Sequence, residues 1–231
     1  MSETVPSTTI QSETLRVDDI CKAHGSHWVL KNISFSAEIG EIIHLKGTNG
    51  AGKSTLLRIL SGESVPSKGS VYLNGKELIP EEHELRNDIY LVPENLTPSP
   101  WMTVREYIQF SLHMRNNNLS GNFDSSILET LINDWNLSPF IGRPAGTLSQ
   151  GENRRLLLSI AFASNTRILM LDEPTIALDE SFRNILKRKL EAAQRDKLII
   201  ISSHLEREGL PIFDRVIELE SGSLISDRAL K

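Results

Sequence analysis

Hydrophobic positions along the chain fall into short alternating runs and longer helical ones. Leu15 and Val17, then Ile33, Phe35 and Ala37, then residues 42–45, read as strands, because a strand turns successive side chains to opposite faces. Leu56, Leu57, Ile59 and Leu60 follow with helical spacing. Residues 71–73, closed by Asn74-Gly75, predict a hairpin, and residues 89–92 another short strand. The middle third changes period. Thr103-Val104-Arg105-Glu106 matches a helix capping box ahead of an apolar periodic run. Residues 125–134 and 153–163 are further predicted helices. The last third alternates again: a buried strand at 168–171, a polar helix at 179–194, a second buried strand at 198–202, and a pair at 216–219 and 223–224 about a Ser221-Gly222 turn. Short apolar strands alternating with helices argue for an α/β fold whose sheet is covered on both faces.

Composition narrows the class. The 231 residues are 39% hydrophobic and 24% charged, with 25 basic against 30 acidic side chains and a net charge of −5. These are ordinary values for a globular chain with a real core. The mild acidity argues against a general nucleic-acid binder, so no nucleic-acid partner is expected. Cys21 has no second cysteine to pair with, which suits a reducing compartment. Residues 1–13, rich in Ser, Thr and Glu, carry neither a basic start nor an apolar stretch and are expected to form a disordered tail rather than a secretion signal. The longest apolar stretch, residues 156–163, is far short of the roughly 20 residues a spanning helix needs.

Two motifs carry chemistry. Residues 47–54 read Gly-Thr-Asn-Gly-Ala-Gly-Lys-Ser, a full G-x-x-x-x-G-K-S loop between a strand and a helix. Glycines let successive backbone N–H groups converge on an anion, and the helix N-terminus adds its dipole. Thr48, Asn49, Gly50, Ala51, Gly52, Lys53, Ser54 and Thr55 are therefore the expected ATP-binding residues. Lys53 is placed for the β and γ phosphates, and Ser54 for Mg²⁺. Residues 168–174 read Ile-Leu-Met-Leu-Asp-Glu-Pro, with two acids at the end of an apolar strand, where open α/β sheets bind ligands. Asp172 is expected to hold Mg²⁺, and Glu173 to orient or deprotonate the attacking water as the catalytic carboxylate.

The remaining motifs give a family resemblance. Leu148-Ser149-Gln150-Gly151-Glu152 resembles the signature of ATP-binding cassette (ABC) ATPases, usually LSGGQ, and Asn153-Arg154-Arg155 continues it in the family's style. Pro174 to Asp179 resembles the D-loop, Ser202-Ser203-His204 the switch histidine, and residues 214–222 the terminal hairpin. The resemblance runs from about Leu15 onward in the family's order. It implies a P-loop NTPase core with a mixed, mainly parallel sheet, an N-terminal antiparallel β-subdomain and a small α-helical subdomain near 95–160, all within one ATPase domain at 14–231. It also implies a head-to-tail dimer with a second ABC ATPase subunit, identical or different. Each ATP would lie between the phosphate loop of one protomer and Ser149, Gln150, Gly151 and Glu152 of the other. His204 would contact the γ-phosphate in cis as a catalytic residue, and Asp179 would reach across the interface.

Some positions depart from the pattern. Glu94 stands where the family has Gln, keeping an oxygen ligand for Mg²⁺ but adding negative charge. Gln150 replaces a glycine, and Glu152 replaces Gln. Because Ser149 and Glu152 also match a capping box, Glu152 is equally placed to tie down a helix start. His24, before Gly25, takes the place of the family's adenine-stacking Tyr, and the larger ring of Trp28 is close by. Trp101 and Met102 lie among prolines where the family docks a membrane partner, and a core role is equally open to Trp101. The function implied is the ATP-hydrolysing subunit of an ABC transporter, peripheral on the cytoplasmic face of a membrane and driving a separate permease. The alternatives are an ABC ATPase without a transport role, such as the iron–sulfur assembly type, and a slowly hydrolysing regulatory clamp.

Overall fold

The computed structural model describes residues 14–79, 83–115, 125–203 and 212–230. The expected tail at 1–13 and His204 lie outside the described residues. Strand β1 (Leu15–His24) turns at Gly25-Ser26 into antiparallel β2 (His27–Ala37), with Leu15 opposite Ala37 and His24 opposite His27. After β3 (Ile42–Lys46) and helix α1 (Lys53–Leu60), β4 (Lys68–Leu73) pairs with the free edge of β1 and turns at Asn74-Gly75 into β5 (Lys76–Glu77). Among the described residues this sheet has the order β2-β1-β4-β5.

A second sheet holds the site. Helix α2 (His83–Asn87) leads into β6 (Ile89–Val92). The helices α3 (Val104–Arg115), α4 (Ser125–Asp134) and α5 (Gln150–Ala163) precede β7 (Ile168–Asp172). Helix α6 (Glu180–Ala193), β8 (Leu198–Ser203), β9 (Arg215–Glu220) and β10 (Ser223–Ala229) complete the chain. The strand order is β10-β9-β3-β8-β7-β6, parallel except for β10.

Burial on both faces explains the continuous apolar runs of β3, β7 and β8. Leu169, Leu171, Ile199, Ile201 and Ile42 enter one core with the helices α3 to α6, where Trp135 is also buried. Their neighbours Ile168, Met170, Leu198, Ile200 and Ile43 face the opposite way, into a core shared with α1 and the antiparallel sheet. The period of two along each strand thus sorts one sequence into two cores. The result is an α/β fold with a mixed sheet, an antiparallel β-sheet and a helical layer.

Parallel register aligns the ends of the central strands. Val92 lies opposite Leu171, Asp172 opposite Ser202, and Lys46 opposite Ser203. The phosphate loop, the segment carrying Glu94, the acid pair and the end of β8 therefore leave the sheet along one edge. Helix α5 begins at Gln150, three residues before the predicted start, because Ser149 caps it. Helix α2 was not foreseen: five polar-rich residues offer too little periodicity.

Candidate active site

The phosphate loop closes over its own lysine. Lys53 Nζ donates to the carbonyls of Gly47 (2.7 Å) and Thr48 (3.3 Å) and lies 3.6 Å from Glu173 Oε1, with both side chains buried. Gly52 caps α1 at φ 106°, without a side-chain cap. An added Cβ there would meet Leu30 Cδ2 at 2.6 Å, so both the backbone sign and the space demand glycine. The first N–H groups of α1 are left to an incoming anion. A cavity of about 330 Å³ is lined by loop residues 49–55 together with Val29, Glu94 and Glu173.

The acid pair is braced from β8. Ser202 Oγ donates to Asp172 Oδ1 and accepts from the Glu173 N–H at 3.0 Å, while Ser202 O accepts from the same N–H at 3.2 Å. Glu173 has φ 48°, a left-handed backbone that costs a non-glycine residue about 1–3 kcal/mol. Such strain persists where surrounding contacts over-determine it, and here it aims the Glu173 carboxylate at Lys53 and the cavity. Deeper in the sheet, His44 Nε2 lies 3.1 Å from Ser203 Oγ, and its ring stacks on Phe213 at 4.5 Å. Burial first, then Lys46 and Lys53, lower its pKa from 6.5 to about 4.

The signature residues stand outside this cavity. Ser149 Oγ accepts from the Glu152 N–H (3.2 Å), and the Ser149 N–H donates to Glu152 Oε2 (2.8 Å), a complete capping box. Arg143 Nη1 donates to Glu152 Oε1 at 2.9 Å. The backbone N–H of Ser149 is the first cause of the lowered Glu152 pKa. Within the protomer Glu152 therefore ties down the helix start. Gly151 is held by a close approach: a Cβ there would lie 2.7 Å from the Ala177 carbonyl oxygen. Asp179 caps α6, accepting from the Phe182 N–H and the Ser181 hydroxyl, and pairs with Arg155 at 3.4 Å. These hydroxyl and amide donors lower its pKa.

Sequence reasoning missed one connection between these parts. Arg154, 3% exposed, donates from Nη1 to Pro93 O (3.0 Å) and from Nη2 to Glu94 O (2.6 Å). Asn153 Nδ2 donates to Leu96 O at 2.7 Å. Burial lowers the Arg154 pKa, and Asp172, Glu94 and Glu173 oppose that shift. No spacing rule links residue 154 to residues 93–96. The basic pair beside the signature was the available signal, and it named no partner.

The candidate residues thus divide into groups. The structure brings Asn49, Gly50, Ala51, Gly52, Lys53, Ser54, Thr55, Glu94 and Glu173 together, with Thr48 and Asp172 beside them. Ser149, Gln150, Gly151, Glu152 and Asp179 form a separate cluster at the start of α5 and the turn before α6. His24 and Trp28 are exposed at the β1–β2 hairpin, outside the cavity, and Lys68 Nζ sits 5.8 Å from the Trp28 ring centroid.

Comparison with known proteins decides the family. The ABC transporter family model matches residues 30–176. The chain belongs to the ABC transporter family. It is an ATP-binding cassette and an ATPase. It is 32% identical over 210 residues to the Nod factor export ATP-binding protein I of Burkholderia orbicola, covering 90% of this chain and 68% of that protein. It is 33% identical over 213 residues to a sulfate/thiosulfate import ATP-binding protein of Mesostigma viride, covering 91% and 60%. The cassette thus spans about two thirds or less of the length of these curated relatives. Among solved structures, its fold is similar to an ATP binding subunit of an ABC transporter (TM-score 0.82, 23% identity, 94% of this chain and 90% of that one). It is also similar to a bacterial ABC transporter cassette solved as a dimer (TM-score 0.80, 23% identity, 94% and 99%). No described helix of the cassette is long and apolar enough to cross a membrane.

Proposed function

We propose that the cassette hydrolyses ATP within a head-to-tail dimer, homo- or heteromeric, and that dimer closure drives a separate membrane permease. One observation carries this reading. Lys53, Ser54, Glu94 and Glu173 face one cavity, while the signature residues stand apart from it with Ser149 and Gln150 exposed. A second protomer, turned head to tail, supplies the missing wall from its own Ser149, Gln150, Gly151 and Glu152.

In this reading the N–H groups of the loop receive the β and γ phosphates, and Lys53 exchanges its loop carbonyls for phosphate oxygens. Ser54, Glu94 and Asp172 are hard oxygen donors suited to Mg²⁺. Among the described residues no group of three or more His, Cys, Asp or Glu could hold a metal alone. Phosphate oxygens would supply further ligands, as is usual for this ion. Mg²⁺ held by these residues would supply positive charge against the phosphates. Glu173 orients the attacking water or takes its proton. The dipole of α5 points its positive end at the γ-phosphate of the facing site. His204 holds the γ-phosphate of its own protomer's site, Asp179 sets the facing site, and the adenine stacks on His24 or Trp28.

Trp101, 89% exposed in the segment before α3, supports a docked partner, since it has no core role in the protomer. A permease there would place the cassette at the cytoplasmic face of a membrane. Affinity purification of the cassette from detergent-solubilised membranes tests this. A membrane protein with several spanning segments, recovered in stoichiometric amount, is expected. Recovery of only non-membrane partners would favour the iron–sulfur assembly type of function instead.

A further inference from the structure

The signature helix and the loop carrying Glu94 are joined by a buried cation. Arg154 lies on the first turns of α5, yet its two terminal nitrogens hold the carbonyls of consecutive residues, Pro93 and Glu94, at 3.0 and 2.6 Å. Asn153 adds a third tie to the same segment at Leu96. A guanidinium this buried needs charge partners as well as hydrogen bonds. Asp172, Glu94 and Glu173 all act on Arg154 electrostatically. Arg154 is not among the residues that line the cavity, and its terminal nitrogens are engaged by the backbone carbonyls of Pro93 and Glu94.

We propose that Arg154 is a positioning residue for Glu94. Its planar fork fixes the backbone from which that carboxylate reaches the cavity, and its charge offsets the carboxylate that this chain adds to the acid pair. The inference rests on the reading of Glu94 as a metal ligand. It extends that reading by making α5 and the metal-binding loop one mechanical piece, so that the helix presenting the signature to a facing site also sets the metal position in its own. Arg suits the role better than Lys, because one Lys nitrogen cannot hold two carbonyls in a fixed plane.

The test separates metal-dependent from metal-independent nucleotide binding. ATP affinity is measured by calorimetry on the full chain carrying Glu173→Gln, once with excess Mg²⁺ and once in EDTA. Arg154→Met should weaken binding with Mg²⁺ about tenfold, the usual scale for losing a residue that orients a metal ligand, and leave binding in EDTA unchanged. Arg154→Lys should fall between. In a Glu94→Ala background, Arg154→Met should add no further loss. Equal weakening with and without Mg²⁺, or no weakening, would overturn the proposal. If Glu94→Ala alone leaves the Mg²⁺ dependence intact, the metal-ligand reading fails and this inference fails with it. If Glu94→Ala weakens Mg²⁺-dependent binding and Arg154→Met does not, only the inference fails. Circular dichroism checks folding. Should Arg154→Met not fold, Arg154→Lys decides alone: a selective Mg²⁺-dependent loss supports the proposal, and wild-type affinity in Mg²⁺ overturns it.

Discussion

Glu173 combines three features that seldom coincide: a left-handed backbone at φ 48°, burial, and a lysine 3.6 Å away. A Glu173→Gln substitution keeps the shape and removes the proposed base. Steady-state turnover should fall about 10²- to 10⁴-fold, the usual contribution of a general base, while ATP still binds; turnover within tenfold of wild type would remove Glu173 from that role. His44 yields a prediction about stability. Its pKa is about 4 in the folded chain against 6.5 as its ordinary value. Between those values the unfolded chain binds the proton and the folded chain does not, so stability rises with pH across the window and is lost as pH falls through it. Denaturant melts of wild type and His44→Gln should show a shallower slope between pH 4 and 6.5 for the variant; identical slopes would contradict this. Spacing alone exposed Lys53, Ser54, Asp172 and Glu173, because each sits within a short local motif. His44 and Arg154 were invisible, because their partners lie 159 and 60–61 residues away in sequence and meet them only after the sheet forms.

Two elements decide how the signature is presented: the start of α5 and the turn before α6. The capping box of Ser149 and Glu152 fixes the first, and Asp179 fixes the second. Gly151 is where they touch. Gly151→Ala would bring a methyl group 2.7 Å from the Ala177 carbonyl oxygen, so one element must move. Overpacking of this kind costs about 1–3 kcal/mol. In an account where that surface covers a facing ATP, the variant should bind ATP normally as a monomer yet dimerise about 10- to 100-fold more weakly. Sedimentation in ATP measures this, and unchanged dimerisation would place the signature outside the interface. The strands were readable at this scale because burial on two faces leaves unbroken apolar runs. The start of α5 was placed late because Gln150, Gly151 and Glu152 are polar, and capping rather than periodicity set the boundary. The pairing order of the sheets, with β3 between β8 and β9, had no local signal at all, since it depends on which strands cross over.

At the scale of the molecule, surfaces that the protomer does not use become informative. Trp101 is the clearest, an indole 89% exposed. Replacing it with Ala should change stability by no more than about 0.5 kcal/mol, as for an isolated surface side chain. Basal ATP hydrolysis should stay the same, and stimulation by a reconstituted permease should be lost; retained stimulation would move the docking surface elsewhere. The fold class could be read from the alternation of strands and helices, and the family from the motifs in their order. The proposed sharing of two nucleotides by two molecules came from the family resemblance and not from the hydrophobic pattern, because in that arrangement half of each site would come from the other copy. The most direct test is therefore the mass of Glu173→Gln measured by light scattering after gel filtration. With ATP and Mg²⁺ it should run as a dimer, and with ADP as a monomer. A Glu173→Gln protein that binds ATP and remains monomeric would contradict the shared-nucleotide site.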